Sequence, residues 1–406
     1  MKKYKLTDEC ITIGEHKLYR IEALIDFGWV KKGDKGGFIE SEKNLSHFNN
    51  CWIYGDAKVY GDAKVYNNAE VFGDALVFDK AVVDGYAVVS GNAMVYGNSD
   101  VSGNAKVYHN AIVFDNAKIL DNSKVLDNAE VYGNAIVYGD AVVYGSAKVF
   151  GNASIYGSAV VSGSAVVSGS AVVSGSAKVF GNASIYGSAV VSGSAVVGGS
   201  AVVSGSADVY GNAMVFDNAK IYGNAKIYEN AKIYNYTLVY GNVMIYGNAV
   251  LSSNAKVYNN AEVYGNAKVF DKAVVSGYAV VSGNAMVYGN SDINGNAKIY
   301  GNATIFDNAK ILDNAKILGD AEVYGNTEIY GNAEVANNTD YIVFKNWWSS
   351  GRYFTWTRSN NMWRVGCFYG TGEELIAKAY KDSELSGREY ERVVKYVEST
   401  LNDSKS

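Results

Sequence analysis

The chain has 406 residues, a length of roughly two to three ordinary domains, yet it contains no proline, 44 glycines and 33 tyrosines; average usage would give about 20 prolines. With Lys+Arg 36 against Asp+Glu 41, a net charge of -5 and 48% hydrophobic residues, it matches neither a disordered tail nor a basic nucleic-acid-coating protein. No apolar run is long enough to span a membrane, and MKKYKLTDEC has no apolar core after its lysines, so neither a membrane segment nor a secretory signal is expected and the expected location is cytoplasmic.

Residues 1–52 read as an N-terminal β cap of short strands and turns around Gly33-Asp34-Lys35-Gly36-Gly37, in which Cys51 already takes an inward position of the repeat that follows. Cys10, Cys51 and Cys367 are odd in number and scattered. They read as reduced structural thiols, with no disulfide or zinc framework.

From Ile53 to Val335 every sixth residue, 48 positions in all, is Val, Ile or Leu, and no insertion breaks the phase. Four residues after each aliphatic sits a small side chain, Ala in 41 of 47 slots; the exceptions are Ser99, Ser123, Ser291, Thr237, Thr327 and Val243. In a unit such as Ala105-Lys106-Val107-Tyr108-His109-Asn110, strand alternation turns Ala and Val inward and Lys and Tyr outward. The remaining pair is mostly Gly-Asn, residues that tolerate a left-handed corner.

So short a strand buries nothing alone, and the units must stack, three per turn, each pairing with copies above and below. Residues 53–340 are therefore an all-β solenoid, a single-stranded parallel β-helix of about 16 triangular coils, about 77 Å long at about 4.8 Å per coil. Stacking also explains the missing proline, because a residue without N–H deletes a ladder hydrogen bond.

Residues 341–406 change character: all six arginines and all six tryptophans of the chain lie outside 53–335. Tyr341 to Trp348, Arg352 to Arg358 and Met362 to Phe368 read as three strands. Thr371 with Glu374 and Ser386 with Glu389 form capping-box patterns that start helices near 372–382 and 387–401. This β-hairpin plus two-helix module is the C-terminal α+β cap that the exposed edge of a solenoid requires.

The segments RIEALIDFGWVKKGDKGGFIESEKNLSH (20–47), NNCWIYGDAKVYGDAKVYNNAEV (49–71) and GCFYGTGEEL (366–375) resemble YdcK-type hexapeptide-repeat proteins of bacterial and prophage setting. That resemblance implies a left-handed β-helix, transferase-like by fold alone. A right-handed triangular helix of the bactofilin kind is the alternative.

The chemistry points away from an enzyme. β-Helix acyltransferases use a histidine base in a pocket walled by protruding loops, and the unbroken phase leaves no such loop. Of His16, His47 and His109, only His109 lies in the regular coils, at a corner eighteen residues below Asp127; this pair is the one catalytic candidate, and its bland reading is an exposed corner substitution. A three-histidine zinc site cannot be assembled, no metal or cofactor is expected, and Asp115, Asp121 and Asp127 fall on three different edges. Thr304 is the one outward threonine of the coils, which argues against ice binding.

Two surfaces stand out. Leu76, Phe78, Met94, Tyr96, Ile112 and Phe114 project from three successive coils without a charge among them, a candidate self-association face in a chain where Tyr or Phe otherwise stacks for stability. Arg352, Trp356, Arg358, Trp363 and Arg364 are a basic-aromatic set compatible with ligand contact, although sealing of the last coil by Trp347, Trp348 and Trp356 is the stronger reading.

The segment 148–167 recurs identically at 178–197, and 79–101 recurs at 271–293 with two substitutions. Neither shift is a multiple of eighteen, so each copy lands on a new face. The expected function is thus a non-catalytic scaffold or binding protein, homo-oligomeric and with an unidentified protein partner. The alternatives are an acyltransferase-like enzyme with a site between subunits, and nucleic-acid or glycan binding through the C-terminal module; nucleic acid is the less expected, given the net charge.

Overall fold

A computed structural model describes residues 2–403; Met1 and residues 404–406, at the ends of the first and last segments, lie outside the described residues. The fold is a parallel β-solenoid flanked by an antiparallel N-terminal hairpin and a C-terminal antiparallel sheet with two helices. The chain divides into two compact units, Met1–Asn224 and Ala225–Ser406.

In the first unit the coils repeat at eighteen residues, as in the pairings Leu76↔Met94↔Ile112, Val88↔Lys106↔Lys124 and Val82↔Asp100↔Lys118 on three sheets. Each strand keeps only two ladder residues, one outward and one inward, as in Lys106–Val107. The inward Val, Ile and Ala side chains are fully buried. Where Ser or Thr replaces the inward Ala, its hydroxyl donates to the carbonyl three residues back, as from Ser99 to Tyr96 at 2.8 Å and from Ser123 to Leu120 at 2.6 Å. That bond makes a polar atom tolerable in an apolar core. At the corners, Gly151 has φ +71 and a Cβ placed there would lie 3.0 Å from the Gly169 backbone. Left-handed backbone admits Gly, Asn and Asp at these corners, and close stacking favours Gly among them. The second corner residue builds side-chain amide ladders, Asn98 to Asn116 to Asn134 to Asn152, at 3.1 to 3.2 Å.

The N-terminal segment is more regular than its turn-rich sequence suggests. Strands Tyr4–Ile13 and His16–Ala23 form a hairpin, and Lys35–Ile39 pairs antiparallel with the second strand on one edge and parallel with Lys58–Val59 on the other. This strand converts hairpin into solenoid, and Leu45 continues the turn by a parallel bridge to Val65. Parallel stacking therefore begins one turn before the regular phase at Ile53. In that first turn the spacing is twenty residues, as in Ile39↔Val59. Cβ atoms at Gly36 and Gly37 would sit 2.6 Å from the Ile53 carbonyl and 2.4 Å from the Ala57 carbonyl, which is why Gly-Gly stands where the strand seats on the coil. Side-chain nitrogens close the carbonyl edge: Asn44 donates to the Gly61 and Ala63 oxygens at 2.9 Å, Lys3 to the Cys51 oxygen at 2.8 Å, and Arg20 to the Gly36 oxygen at 2.9 Å and the Gly55 oxygen at 3.1 Å.

In the second unit the same pairings run through Leu238↔Lys256↔Val274↔Asp292↔Lys310↔Glu328. The C-terminal module has four strands where three were expected: Tyr341–Lys345, Tyr353–Thr357, Met362–Val365 and Phe368–Gly370. Thr371 caps Gly372–Asp382 with the expected box. The second helix is Glu384–Asp403, three residues earlier than the Ser386 pattern indicates, because the Ser383 hydroxyl takes the Ser386 N–H at 3.0 Å and serves as the cap instead. Phe354, Trp356, Trp363 and Val365 face the helices, in one core with Leu375, Val394 and Val397.

The other face of that sheet closes the last turn with oxygens. Along the coils the N–H of each outward residue donates to a carbonyl of the next turn, as from Lys316 to Ala333 at 2.8 Å. In the last turn Glu322, Glu328 and Glu334 have no next turn, and their N–H groups donate to Asn338 Oδ1 at 2.7 Å, Thr355 Oγ1 at 3.1 Å and Ser359 Oγ at 2.6 Å.

Two stability outcomes follow from these positions. Ala165→Leu, at a fully buried slot, overpacks the core and should cost about 1–3 kcal/mol, whereas Lys178→Ala, exposed on the same unit, should stay within about 0.5 kcal/mol; equal shifts of the unfolding midpoint would contradict the inside/outside assignment. Thr355 is buried and Ser359 exposed, so Thr355→Val leaves the Glu328 N–H without a partner, at about 1–3 kcal/mol, while water replaces the lost oxygen in Ser359→Ala. Denaturant midpoints of the two variants measure the difference.

Candidate functional site

His109 occupies a corner position with φ 62, and its Nδ1 lies 2.9 Å from Asp127 Oδ1. Both side chains are open to solvent, 57% and 39% exposed, and an ion pair so placed contributes little. A groove of about 660 Å³ runs along a different corner of the same unit, lined by Asp62, Asp79, Gly97, Asp115 and Gly133 among others. Asp79 and Asp115 there are committed to the backbone, each accepting the N–H of the glycine one turn on at 3.2 Å. Among the described residues no three His, Cys, Asp or Glu side chains are placed to hold a metal ion, and no helix is long and apolar enough to cross a membrane.

Leu76, Met94 and Ile112 are neighbours on one sheet and are half-buried. Beside them Tyr60, Phe78, Tyr96, Phe114, Tyr132 and Phe150 form a continuous stack, with centroids 4.7 to 5.2 Å apart and planes within 10°. Each interior ring covers the faces of its neighbours and shows only an edge, which suits lateral packing and denies a sugar the open ring face it stacks on. Burial pushes the Tyr96 hydroxyl above its ordinary pKa, with Asp115, Glu130 and Asp79 adding to the shift. The lower end of the stack is covered: Leu18, Phe38 and Tyr60 form a cluster against which Ile11, Ile13 and Phe78 pack. Phe78 thus serves the hairpin, while Met94, Tyr96, Ile112 and Phe114 continue the face beyond it.

The five C-terminal candidates separate. Trp356 and Trp363 are buried in the module's own core, and Arg358 is exposed, with its N–H on the Asp340 carbonyl. Arg352 and Arg364 come together on a cavity of about 220 Å³ with Asn326, Glu328, Tyr353, Thr355 and Gly366. Arg364 Nε donates to Glu328 Oε2 at 3.0 Å, and Lys310 Nζ donates to Glu328 Oε1 at 3.0 Å. Burial raises the Glu328 carboxyl, but its bonds to Lys310 and Arg364 outweigh this and hold it below the usual range. Nothing local in the sequence marks Lys310, Asn326 or Glu328, because the cavity exists only where the module docks on the last turn.

A family model described as the YdcK β-solenoid repeat matches residues 129–145. The chain carries a YdcK-type β-solenoid repeat. No curated protein matches it. Among solved structures, the Arabidopsis UDP-N-acetylglucosamine acyltransferase is 18% identical with a TM-score of 0.21, over 54% of this chain and 69% of that one. The Francisella novicida UDP-N-acetylglucosamine acyltransferase is 16% identical with a TM-score of 0.16, over 55% of this chain and 66% of that one. The second likeness spans just under two thirds of its relative, and both are likenesses of fold alone.

Asp292 provides a pH probe. It is half-buried, its Oδ1 has no hydrogen-bond partner, and burial pushes its carboxyl above the usual value while Lys310 pulls the other way. The folded chain therefore holds this proton more tightly than the unfolded chain, and the group's contribution to stability falls as pH rises through the carboxylate range. Asp292→Asn should raise the melting temperature at neutral pH, with the gain vanishing near about pH 3 where Asp is protonated in both states; a gain independent of pH would contradict the assignment.

Proposed function

We propose that the chain is a non-catalytic solenoid scaffold that associates with copies of itself through the face formed by Leu76, Met94, Tyr96, Ile112 and Phe114, with Phe78 at its edge taken up by the hairpin. The observation that carries this reading is the uncharged outward column Leu76–Met94–Ile112 beside an edge-on aromatic stack, bounded in the same column by Lys58 on one side and Glu130 on the other. The half of each apolar side chain that the fold leaves exposed in successive turns is removed from water by lateral burial against a second copy. The copied segments support the same reading. Val160 and Val190, equivalent in the two copies of the 148–167 segment, pair on different sheets of the first unit, an arrangement that lengthens a scaffold without preserving a face-specific catalytic surface. The exposed His109–Asp127 pair, at a corner away from the acidic groove, has no wall to hold a substrate.

The test uses Met94→Lys together with Ile112→Lys. Lys stands at the same outward slot in Lys106 and Lys118, so the solenoid accepts it, whereas an apolar contact between copies does not. Sedimentation should show the wild-type chain as an oligomer and the double variant as a monomer with an unchanged melting temperature. A monomeric wild-type chain, or an oligomer that survives the substitutions, would remove the interface. His109→Ala should leave assembly and stability unaltered.

A further inference from the structure

We infer that the cleft between the last solenoid turn and the C-terminal sheet is a binding site for a small aromatic anion, with the charged head on Arg352 and Arg364 and the ring stacked on Tyr324. This rests on the second unit alone and is independent of self-association. Two cavities, of about 220 and 370 Å³, share Asn326 and Tyr353 as a common wall. The first is cationic. Glu328 is its carboxylate and is already engaged by both Arg364 Nε and Lys310 Nζ at 3.0 Å, so the positive charges outnumber the negative one. The Arg364 guanidinium lies 4.5 Å over the Tyr330 ring, which fixes its plane and leaves its two terminal nitrogens for another partner. Arg352 makes no side-chain ion pair among the described residues; its Cδ, Nη1 and Nε stand 3.4 to 3.6 Å from where a Gly366 Cβ would be, and it also borders the cavity lined by Asp382 and Tyr390 on the helix side. The two guanidinium groups that border the first cavity match the oxygens of a carboxylate or a phosphate.

The second cavity supplies a flat apolar surface, lined by Tyr324, Thr327, Tyr341 and Val343 among others. Tyr324 is the last ring of the stack Phe270–Tyr288–Phe306–Tyr324, with centroids 4.8 to 5.3 Å apart. One of its faces rests on Phe306; no other ring of the chain stacks on it among the described residues, and it is 50% exposed. The ladder therefore ends on an open aromatic face beside two arginines. A planar ring laid there takes the position the next turn would have filled, and an anionic substituent on it is directed across Tyr353 toward the guanidinium pair.

The experiment is titration calorimetry of the full chain with phenyl phosphate, inorganic phosphate and benzoate, repeated on Arg352→Gln and Tyr324→Ser, both surface substitutions whose folding is checked by thermal melts. Phenyl phosphate should bind about tenfold or more tightly than inorganic phosphate, a ratio typical of one good stacking contact. Arg352→Gln should weaken phenyl phosphate about tenfold, the loss of one charge-assisted contact. Tyr324→Ser should reduce phenyl phosphate to the level of inorganic phosphate. Benzoate binding as tightly as phenyl phosphate assigns the head group as a carboxylate, and silence with benzoate assigns it as a phosphate. Absence of binding by both aryl anions, or affinities equal in wild type and Arg352→Gln, would overturn the site.

Discussion

The hydrogen bond that each outward residue sends to the next turn governs the whole molecule. From Lys58 to Ala75, or from Lys316 to Ala333, the donor and acceptor are seventeen residues apart, and a two-residue strand has no other partner with which to satisfy its backbone. A one-residue slip of register within a strand would turn its inward aliphatic to the surface. Strict phase, the absence of proline and the left-handed corners are three statements of this single condition. Buried Val and Ala supply the driving force, and the hydrogen bonds decide where along the chain that burial occurs.

The same condition makes the two ends chemically special and gives them different solutions. At the start the unpaired edge offers carbonyls, which side-chain nitrogens of Lys3, Arg20 and Asn44 fill. At the finish it offers N–H groups, which oxygens of Asn338, Thr355 and Ser359 accept. Both caps are thus keyed to the polarity of the edge they cover. Apolar sealing by tryptophan is the simpler expectation from composition, but Trp356 and Trp363 turn toward the helices, and the face on the last turn is polar.

The solenoid was legible because its signal is local: a six-residue period carries inside, outside and corner in every unit. The C-terminal strands and the first helix were legible for the same reason, through turn residues and the Thr371 capping box. What escaped depends on contacts between segments remote in sequence. The turn before Ile53 has a wider spacing and belongs to no six-residue phase. The start of the second helix shifted because Ser383 and Ser386 carry equivalent hydroxyls and only the chain's path chooses between them. At the candidate sites, Arg352 and Arg364 stood out by composition, while their partners Glu328, Lys310 and Asn326 look like ordinary repeat positions until a sheet is laid against them.

The wider first turn also bears on how a chain of near-identical units finds one register. Interchangeable coils can pair with the wrong neighbour at little energetic penalty, and the exact copies at 148–167 and 178–197 invite such errors. Lys35–Ile39 seats on Lys58–Val59 through a double-glycine contact and a twenty-residue spacing, unlike the eighteen-residue spacing of the coils. The ribosome delivers this segment before any regular repeat. Folding then becomes vectorial, each emerging hexapeptide meeting a single vacant edge, so that the order of synthesis replaces sequence diversity as the source of correct alignment.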